Sequence, residues 1–354
     1  MMVQEIVKHI PKVELHDHLA GGMRMETVME LADSKGIQLP GKDPGELFEW
    51  FRKRSNGGSL PLYLESFTIT SAVLQDEISL ERAAYEAMLD FAQEHVVYAE
   101  IRFSPVHHTA EGLSESEVVE SVLSGLRKGA ERTGVYFGLI LCGMRDRDPR
   151  SSLRIARLAA AYREKGVVGF DIAGKEYGYP PKHHLEAFEY ARLHGLGTTL
   201  HAGEGYGKES IRQAVMICRS DRIGHGTRLT EDLLVEKGEI VSMGELSRLI
   251  RAERIPLEIC LTSNIGTGVV ASYADHAFPL LYRCGFQTVL CSDNRLMSNT
   301  SLTHEMEIAV SEYGMTLSDM KTVTEYAVEA AFMQEDLKRK IMKECIEPGY
   351  GAYL

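Results

Sequence analysis

At 354 residues, 44% of them apolar, the chain is long for one ordinary domain, suits a single-domain α/β barrel, and can bury a large core without covalent staples. A formal charge of -12, with acids and bases interspersed, argues against a nucleic-acid backbone or an anionic membrane as partner, since both require basic patches. No apolar run approaches a bilayer span, and Met1-Met2-Val3-Gln4-Glu5-Ile6-Val7-Lys8 lacks the charged-then-apolar layout of a secretory signal. Cys142, Cys218, Cys260, Cys284, Cys291 and Cys345 form no C-x-x-C pair, which suits free thiols in a reducing compartment. The expectation is a soluble, cytoplasmic protein that handles a small molecule; the oligomeric state is not legible.

In chain order, eight segments read as buried strands: Val13–Leu19, Val96–Arg102, Val135–Cys142, Val167–Ile172, Gly197–His201, Arg222–His225, Pro256–Leu261 and Gln287–Cys291. Several run continuously apolar instead of alternating, as strands covered on both faces do. Helical patterns lie between them at Ser79–Glu94, Ser114–Arg132, Ser151–Lys165, Lys182–His194 and Lys208–Ser220. Repeated strand–helix alternation predicts a parallel sheet closed into a (β/α)8 barrel, with an open doubly wound sheet as the competing topology. The gap before the second strand exceeds one crossover, so residues 20–95 must hold a helical insertion that includes Leu60, Leu62, Tyr63, Leu64 and Phe67. It would emerge at the C-terminal face, as a lid over a site or as plain packing on the rim. Leu302–Tyr313, Leu317–Phe332 and Glu335–Ile346 read as extra C-terminal helices. No linker, low-complexity tract or repeat divides the chain, so one domain over 1–354 is expected.

Four of these strand ends carry unusual chemistry. His16 and His18 are two apart on a strand, so their imidazoles share a face. His201 ends the fifth strand, with Glu204 three residues on; His225 sits between Gly224 and Gly226; Asp293 follows the apolar Val289-Leu290-Cys291. Each has an ordinary explanation alone: a satisfied core histidine, a turn residue, a surface glutamate. A carboxylate ending an apolar strand is nevertheless costly unless it meets a metal or a donor. Together, nitrogen and oxygen ligands without thiolates favour zinc with a position left for water, whose pKa the metal would lower toward neutrality. Glu204 would then move a proton, and His225 would hold or deprotonate the water. Glu100 and Arg102 read as a buried ion pair bracing the barrel, and His107 and His108, after Pro105, as surface loop residues. His183 and His184 read as the start of a helix.

These motifs resemble the adenosine deaminase family of metal-dependent amidohydrolases, in its bacterial branch. The resemblance runs in order over nearly the whole chain. It is carried by Lys12-Val13-Glu14-Leu15-His16-Asp17-His18-Leu19, Val168-Gly169-Phe170-Asp171-Ile172-Ala173-Gly174, His201-Ala202-Gly203-Glu204, Arg222-Ile223-Gly224-His225-Gly226 and Ser292-Asp293-Asn294. It implies a (β/α)8 barrel with one zinc ion per subunit on His16, His18, His201 and Asp293. Glu204 would protonate the purine ring nitrogen beside the carbon under attack, and His225 would steer the hydroxide. Gly174 would offer its N–H to another ring nitrogen. Asn294, His18 and the position of Ala20 would also face the substrate. Adenosine would give inosine and ammonia, without any nucleic-acid or membrane partner.

Two departures bear on specificity. The family's first motif usually continues His-Leu-Asp-Gly, that Asp binding the ribose 5′-hydroxyl; here the position is Ala20. Loss of one charge-assisted hydrogen bond would cost about 1.5–3 kcal/mol for adenosine. Asn294 stands where many members carry a second Asp, and its amide both donates and accepts. With Lys175 at the mouth, Ala20 raises the alternative of a 5′-modified adenosine: 5′-methylthioadenosine, 5′-deoxyadenosine or aminodeoxyfutalosine. Three rivals fare worse. An amidohydrolase acting on other rings fits His201-Ala202-Gly203-Glu204 poorly, and AMP deamination lacks a basic cluster for the phosphate. An inactive purine-binding homologue would have no use for Glu204 and His225.

Overall fold

The continuously apolar runs become the parallel staves of a barrel. The computed structural model describes residues 2–354, so Met1 of the opening segment lies outside the described residues. Its strands are β1 (Lys12–His18), β2 (Val96–Phe103), β3 (Tyr136–Met144), β4 (Val167–Ala173), β5 (Gly197–Ala202), β6 (Arg222–His225), β7 (Leu233–Glu236), β8 (Glu239–Met243), β9 (Leu257–Ile259) and β10 (Thr288–Leu290). Eight of them pair in the order β1-β2-β3-β4-β5-β6-β9-β10. The ring closes between β10 and β1, where the Asp293 N–H donates to His16 O at 2.7 Å and the His18 N–H to Asp293 O at 2.8 Å. Closure excludes the open sheet and brings the two ends of the chain's chemistry side by side. The fold is a (β/α)8 barrel with a helical insertion after β1 and additional C-terminal helices.

Crossover helices form where the apolar period is 3.6 and a cap starts the first turn. Glu77–Gln93 begins at Asp76, whose side chain accepts from the Ser79 N–H, and buries Leu80, Ala83, Ala84, Ala87, Met88 and Phe91 along one face. Glu115–Thr133 begins with a capping box of Ser114 and Glu117 and packs against it. Burying Met88 or Phe91 contributes about 1.5–3 kcal/mol each. The insertion supplies Met25–Lys35, Pro44–Ser55, Leu60–Leu64 and Phe67–Val73 before that crossover. At the C-terminus, Leu317–Ala330 stops short of Phe332, and Glu335–Ile341 passes into a π-turn at Met342–Ile346 before a last helix at Glu347–Gly351.

β7 and β8 form an antiparallel hairpin outside the barrel, a feature missing from the sequence-based expectation. Its turn, Lys237-Gly238, has both φ angles positive (50° and 79°), the conformation that Asn-Gly or Asp-Gly would have advertised. Glu100 and Arg102 are both buried, but they do not pair with each other. Arg222 donates to Glu100 at 2.6 Å, while Arg102 donates to Asp171 at 3.0 Å and to Glu258 at 2.9 Å. Residues two apart on one strand point the same way, so their counter-ions come from strands across the barrel. Among the described residues no helix is long and apolar enough to cross a membrane.

Candidate active site

The strand ends gather four imidazoles and two carboxylates at one mouth of the barrel. His18 Nε2 lies 3.2 Å from His201 Nε2 and 3.4 Å from Asp293 Oδ1, and His16 Nε2 lies 3.6 Å from the same oxygen. Donor atoms of His16, His18 and Asp293 all fall within 4.8 Å of one another, as do those of His16, His201 and His225. The close approach depends on Gly224: a Cβ there would stand 3.2 Å from both His16 Cε1 and His201 Cα. His225 and Asp293 themselves hold φ of 65° and 62°, a left-handed backbone that costs non-glycine residues energy and that clusters at functional sites.

Carboxylates behind the imidazoles decide which nitrogen faces the mouth. His16 Nδ1 donates to Glu258 at 2.8 Å, and His201 Nδ1 donates to Asp171 at 2.9 Å. Burial alone would raise Asp171 and Glu258, yet His201 and Arg102 hold Asp171 below its ordinary range, and Arg102 and Arg222 do so for Glu258. Both therefore stay ionised and accept. His16 thereby turns its Nε2 into the cluster, where it is buried without a hydrogen-bond partner, and His201 Nε2 faces His18 Nε2 at 3.2 Å. Burial and the neighbouring Arg102 keep His16 far below the usual imidazole range, and burial does the same for His18. Imidazole nitrogens aimed into one cluster and backed by carboxylates fit a divalent cation with nitrogen preference. Ser263 Oγ donates to Asp293 Oδ2 at 2.5 Å, leaving Oδ1 toward the histidines.

Glu204 and His225 stand beside this cluster, 3.5 Å apart. Burial, then the charges of Asp293 and Glu176, push Glu204 well above the carboxylate range, which favours its protonated form. The His225 tautomer follows from a chain of hydrogen bonds. The Phe278 N–H donates to His276 Nδ1 (3.0 Å), so His276 Nε2 donates to Asn264 Oδ1 (3.1 Å); Asn264 Nδ2 then donates to His225 Nδ1 (3.1 Å). Thr227 Oγ1 also donates to Asn264 Oδ1, at 2.7 Å, which fixes the amide. His225 is thereby left with its proton on Nε2, facing Glu204.

His18, His201, Asp293, Glu204 and His225 open on a cavity of about 310 Å³, within the range of small-molecule sites. Ala20, Gly174, Lys175 and Asn294 line it, along with Leu60, Tyr63, Leu64 and Phe67 of the insertion. Asn294 Nδ2 donates to Asp293 Oδ1 at 2.5 Å, and its Oδ1 is buried without a partner. His107 and His108 are not surface loop residues: both line the cavity, and His108 is buried with its Nδ1 2.9 Å from Leu74 O. That carbonyl is 34 residues earlier, so local sequence could not announce the burial. His184 ends a short turn ahead of the helix Leu185–Leu193 and bonds Ser152 Oγ at 2.9 Å.

Sequence reading passed over Asp171 and Glu258. The signal was present, since each is a carboxylate inside an apolar strand and so demands a buried partner. Asn264, His276 and Ser263 lie on turns and short helices and carried no such mark. A family model described as adenosine deaminase matches residues 11–348. The chain is 45% identical over 361 residues to a protein named adenosine deaminase from Mycobacterium marinum, covering 100% of this chain and 99% of that one. The solved adenine deaminase from Arthrobacter aurescens matches with a TM-score of 0.86 at 26% identity, over 96% of this chain and 98% of the other. The Arabidopsis N6-mAMP deaminase matches at 0.83 and 30%, over 98% and 99%. Family match, full-length identity and fold agree: the chain belongs to the adenosine deaminase family and is a hydrolase that deaminates a purine.

Proposed function

We propose that this chain is a zinc-dependent deaminase of a 6-aminopurine nucleoside, with adenosine as the main substrate and inosine and ammonia as products. The observation that carries the proposal is the pairing of a metal-ready donor cluster with the buried Glu204 carboxyl group next to it, 3.5 Å from His225, at the mouth of one cavity. His16, His18, His201 and Asp293 would hold the ion. Bound there, zinc supplies Lewis acidity that lowers the pKa of water toward neutrality.

The remaining roles belong to side chains. Glu204 donates its proton to the ring nitrogen beside the carbon under attack, which makes that carbon more electrophilic. His225, with its proton on Nε2, donates to the attacking water and so aims it; on this tautomer it positions the water and does not deprotonate it. The Gly174 N–H meets a second ring nitrogen. Asn294 Nδ2 has a second hydrogen for an acceptor on the base. Addition of water to the ring carbon and departure of the amino group as ammonia leave the 6-oxopurine.

A 5′-modified nucleoside is the second reading, supported by Ala20. It stands on the cavity wall with Leu60, Leu64 and Phe67, where a hydroxyl finds no charged partner among those residues. A 5′-phosphate is less favoured. Among the described residues that line the cavity, Arg102 is engaged by Asp171 and Glu258, leaving Lys175 as the free lysine or arginine. Ammonia release by zinc-loaded protein across 6-aminopurine nucleosides that differ only at the 5′ position tests both readings. Adenosine turning over fastest is the expected result. A faster 5′-modified analogue would shift the assignment to the second reading, and silence across the panel would remove the reaction.

A further inference from the structure

Two residues beyond Gly174, a buried carboxylate ties the loop after β4 to the loop after β5. Glu176 Oε1 accepts from the Gly203 N–H at 2.7 Å. Its Oε2 accepts from the N–H groups of Glu204 (3.0 Å), Gly205 (2.6 Å) and Tyr206 (3.1 Å). Four consecutive amides thus converge on one side chain that is 3% exposed. The convergence requires Gly203 at φ 77°, and a Cβ there would also stand 2.5 Å from Ile211 Cδ1. An ordinary surface turn leaves such amides to water. Here a charge has been buried to collect them, a cost offset only because charge-assisted bonds to a concave set of N–H groups are strong. Neighbouring arginines hold the carbonyl side of the same junction. Arg145 donates to His201 O at 2.7 Å and to Tyr179 O at 3.0 Å, and Arg228 donates to Glu204 O at 3.4 Å.

We propose that Glu176 is a positioning residue: it locks the β4 and β5 loops together and so fixes the Glu204 side chain relative to the Gly174 N–H. The proposal rests on the reading that Glu204 and Gly174 meet two nitrogens of one purine ring. That ring is rigid, so the two groups must be held at one separation before it arrives. Glu176 lines no part of the cavity itself; it holds the amides of residues 203–206, of which Glu204 lines the cavity, and its charge also bears on Glu204. A carboxylate confined to loop support would leave the catalytic step untouched once the protein had folded.

The test compares Glu176→Ala, Glu176→Gln and Glu204→Gln in the zinc-loaded protein, by steady-state kinetics, amide hydrogen exchange at residues 203–206 and metal content. Glu176→Ala is expected to speed exchange at these amides at least tenfold. It should also lower kcat by about 10²-fold, the scale of a displacement near 1 Å, with KM and metal content little changed. Glu176→Gln keeps one acceptor oxygen and should recover part of both losses. Exchange that speeds while kcat holds would overturn the proposal. So would exchange that stays slow in Glu176→Ala, or a kcat loss that glutamine does not relieve and that follows metal loss. Undiminished kcat in Glu204→Gln would bring down the role given to Glu204, while the exchange data would still report whether the clamp exists.

Discussion

At the scale of single residues, the site works by keeping two kinds of carboxyl group in opposite states within one barrel mouth. Burial and the charges of Asp293 and Glu176 push Glu204 toward its protonated form, whereas His201 and Arg102 hold Asp171, and Arg102 and Arg222 hold Glu258, toward the ionised form. The first state suits the proposed proton donor, the second an orienting acceptor. Glu204→Gln preserves shape and removes the acid, so kcat should fall by about 10²–10⁴-fold while nucleoside binding persists. Turnover and equilibrium binding of a nucleoside separate these effects, and a variant that turns over normally would refute the assignment. Asp171→Asn presents an amide to His201 Nδ1 that can donate as well as accept, loosening the tautomer. Metal affinity should drop about 10–100-fold, measured by competition with a chelator. The proposed ligand positions drew attention in the sequence because imidazoles and a carboxylate at the ends of apolar strands are anomalous there. Their supports were less so: His276 and Asn264 act through contacts made only once the loops are in place.

At the scale of elements, the helical insertion after β1 is anchored to the turn after β2, and through it to the cavity. His108 Nδ1 donates to Leu74 O, and Gln75 Nε2 donates to His107 O at 2.8 Å while its Oε1 accepts from the Ala110 N–H at 2.9 Å. Burial holds the His108 imidazole down at about 4, against an ordinary value near 6.5. The unfolded chain therefore takes up this proton first as the pH falls. The stabilisation is complete above 6.5 and is lost as the pH drops through about 4, amounting to about 3 kcal/mol over the whole interval. His108→Asn keeps an N–H for the carbonyl and cannot titrate in this range. Urea unfolding of the variant should depend less on pH between 6.5 and 4 than that of the parent; equal slopes would mean that His108 is not neutral in the fold. Long elements such as Leu302–Tyr313 and β3 were readable because their apolar period or run persists. The short helices Leu261–Gly266, Phe278–Arg283 and Arg295–Ser298 complete too few turns to show one.

At the scale of the whole molecule, one ionic network runs through the barrel interior from the C-terminal helices to the proposed metal ligands. The Phe332 N–H and Tyr98 Oη donate to Glu100, Arg222 joins Glu100 to Glu258, and Arg102 joins Glu258 to Asp171. Glu258 and Asp171 then end on His16 and His201. Arg222 also donates to Ala330 O at 2.9 Å and lies 3.7 Å over the Phe332 ring, so the end of helix Leu317–Ala330 is part of the same construction. Arg222→Met would leave the Glu100 and Glu258 carboxylates buried and each one partner short. Removing one member of a buried ion pair typically costs about 3–5 kcal/mol, so chemical denaturation should show a loss of that order. The network makes a second demand: Glu258 deprived of Arg222 is harder to keep ionised and so a weaker acceptor for His16 Nδ1. Zinc affinity should therefore fall together with stability, and added zinc should raise Tm by less in the variant than in the parent. Unchanged zinc affinity alongside the full stability loss would separate the two, reducing the network to scaffolding that happens to end at the histidines.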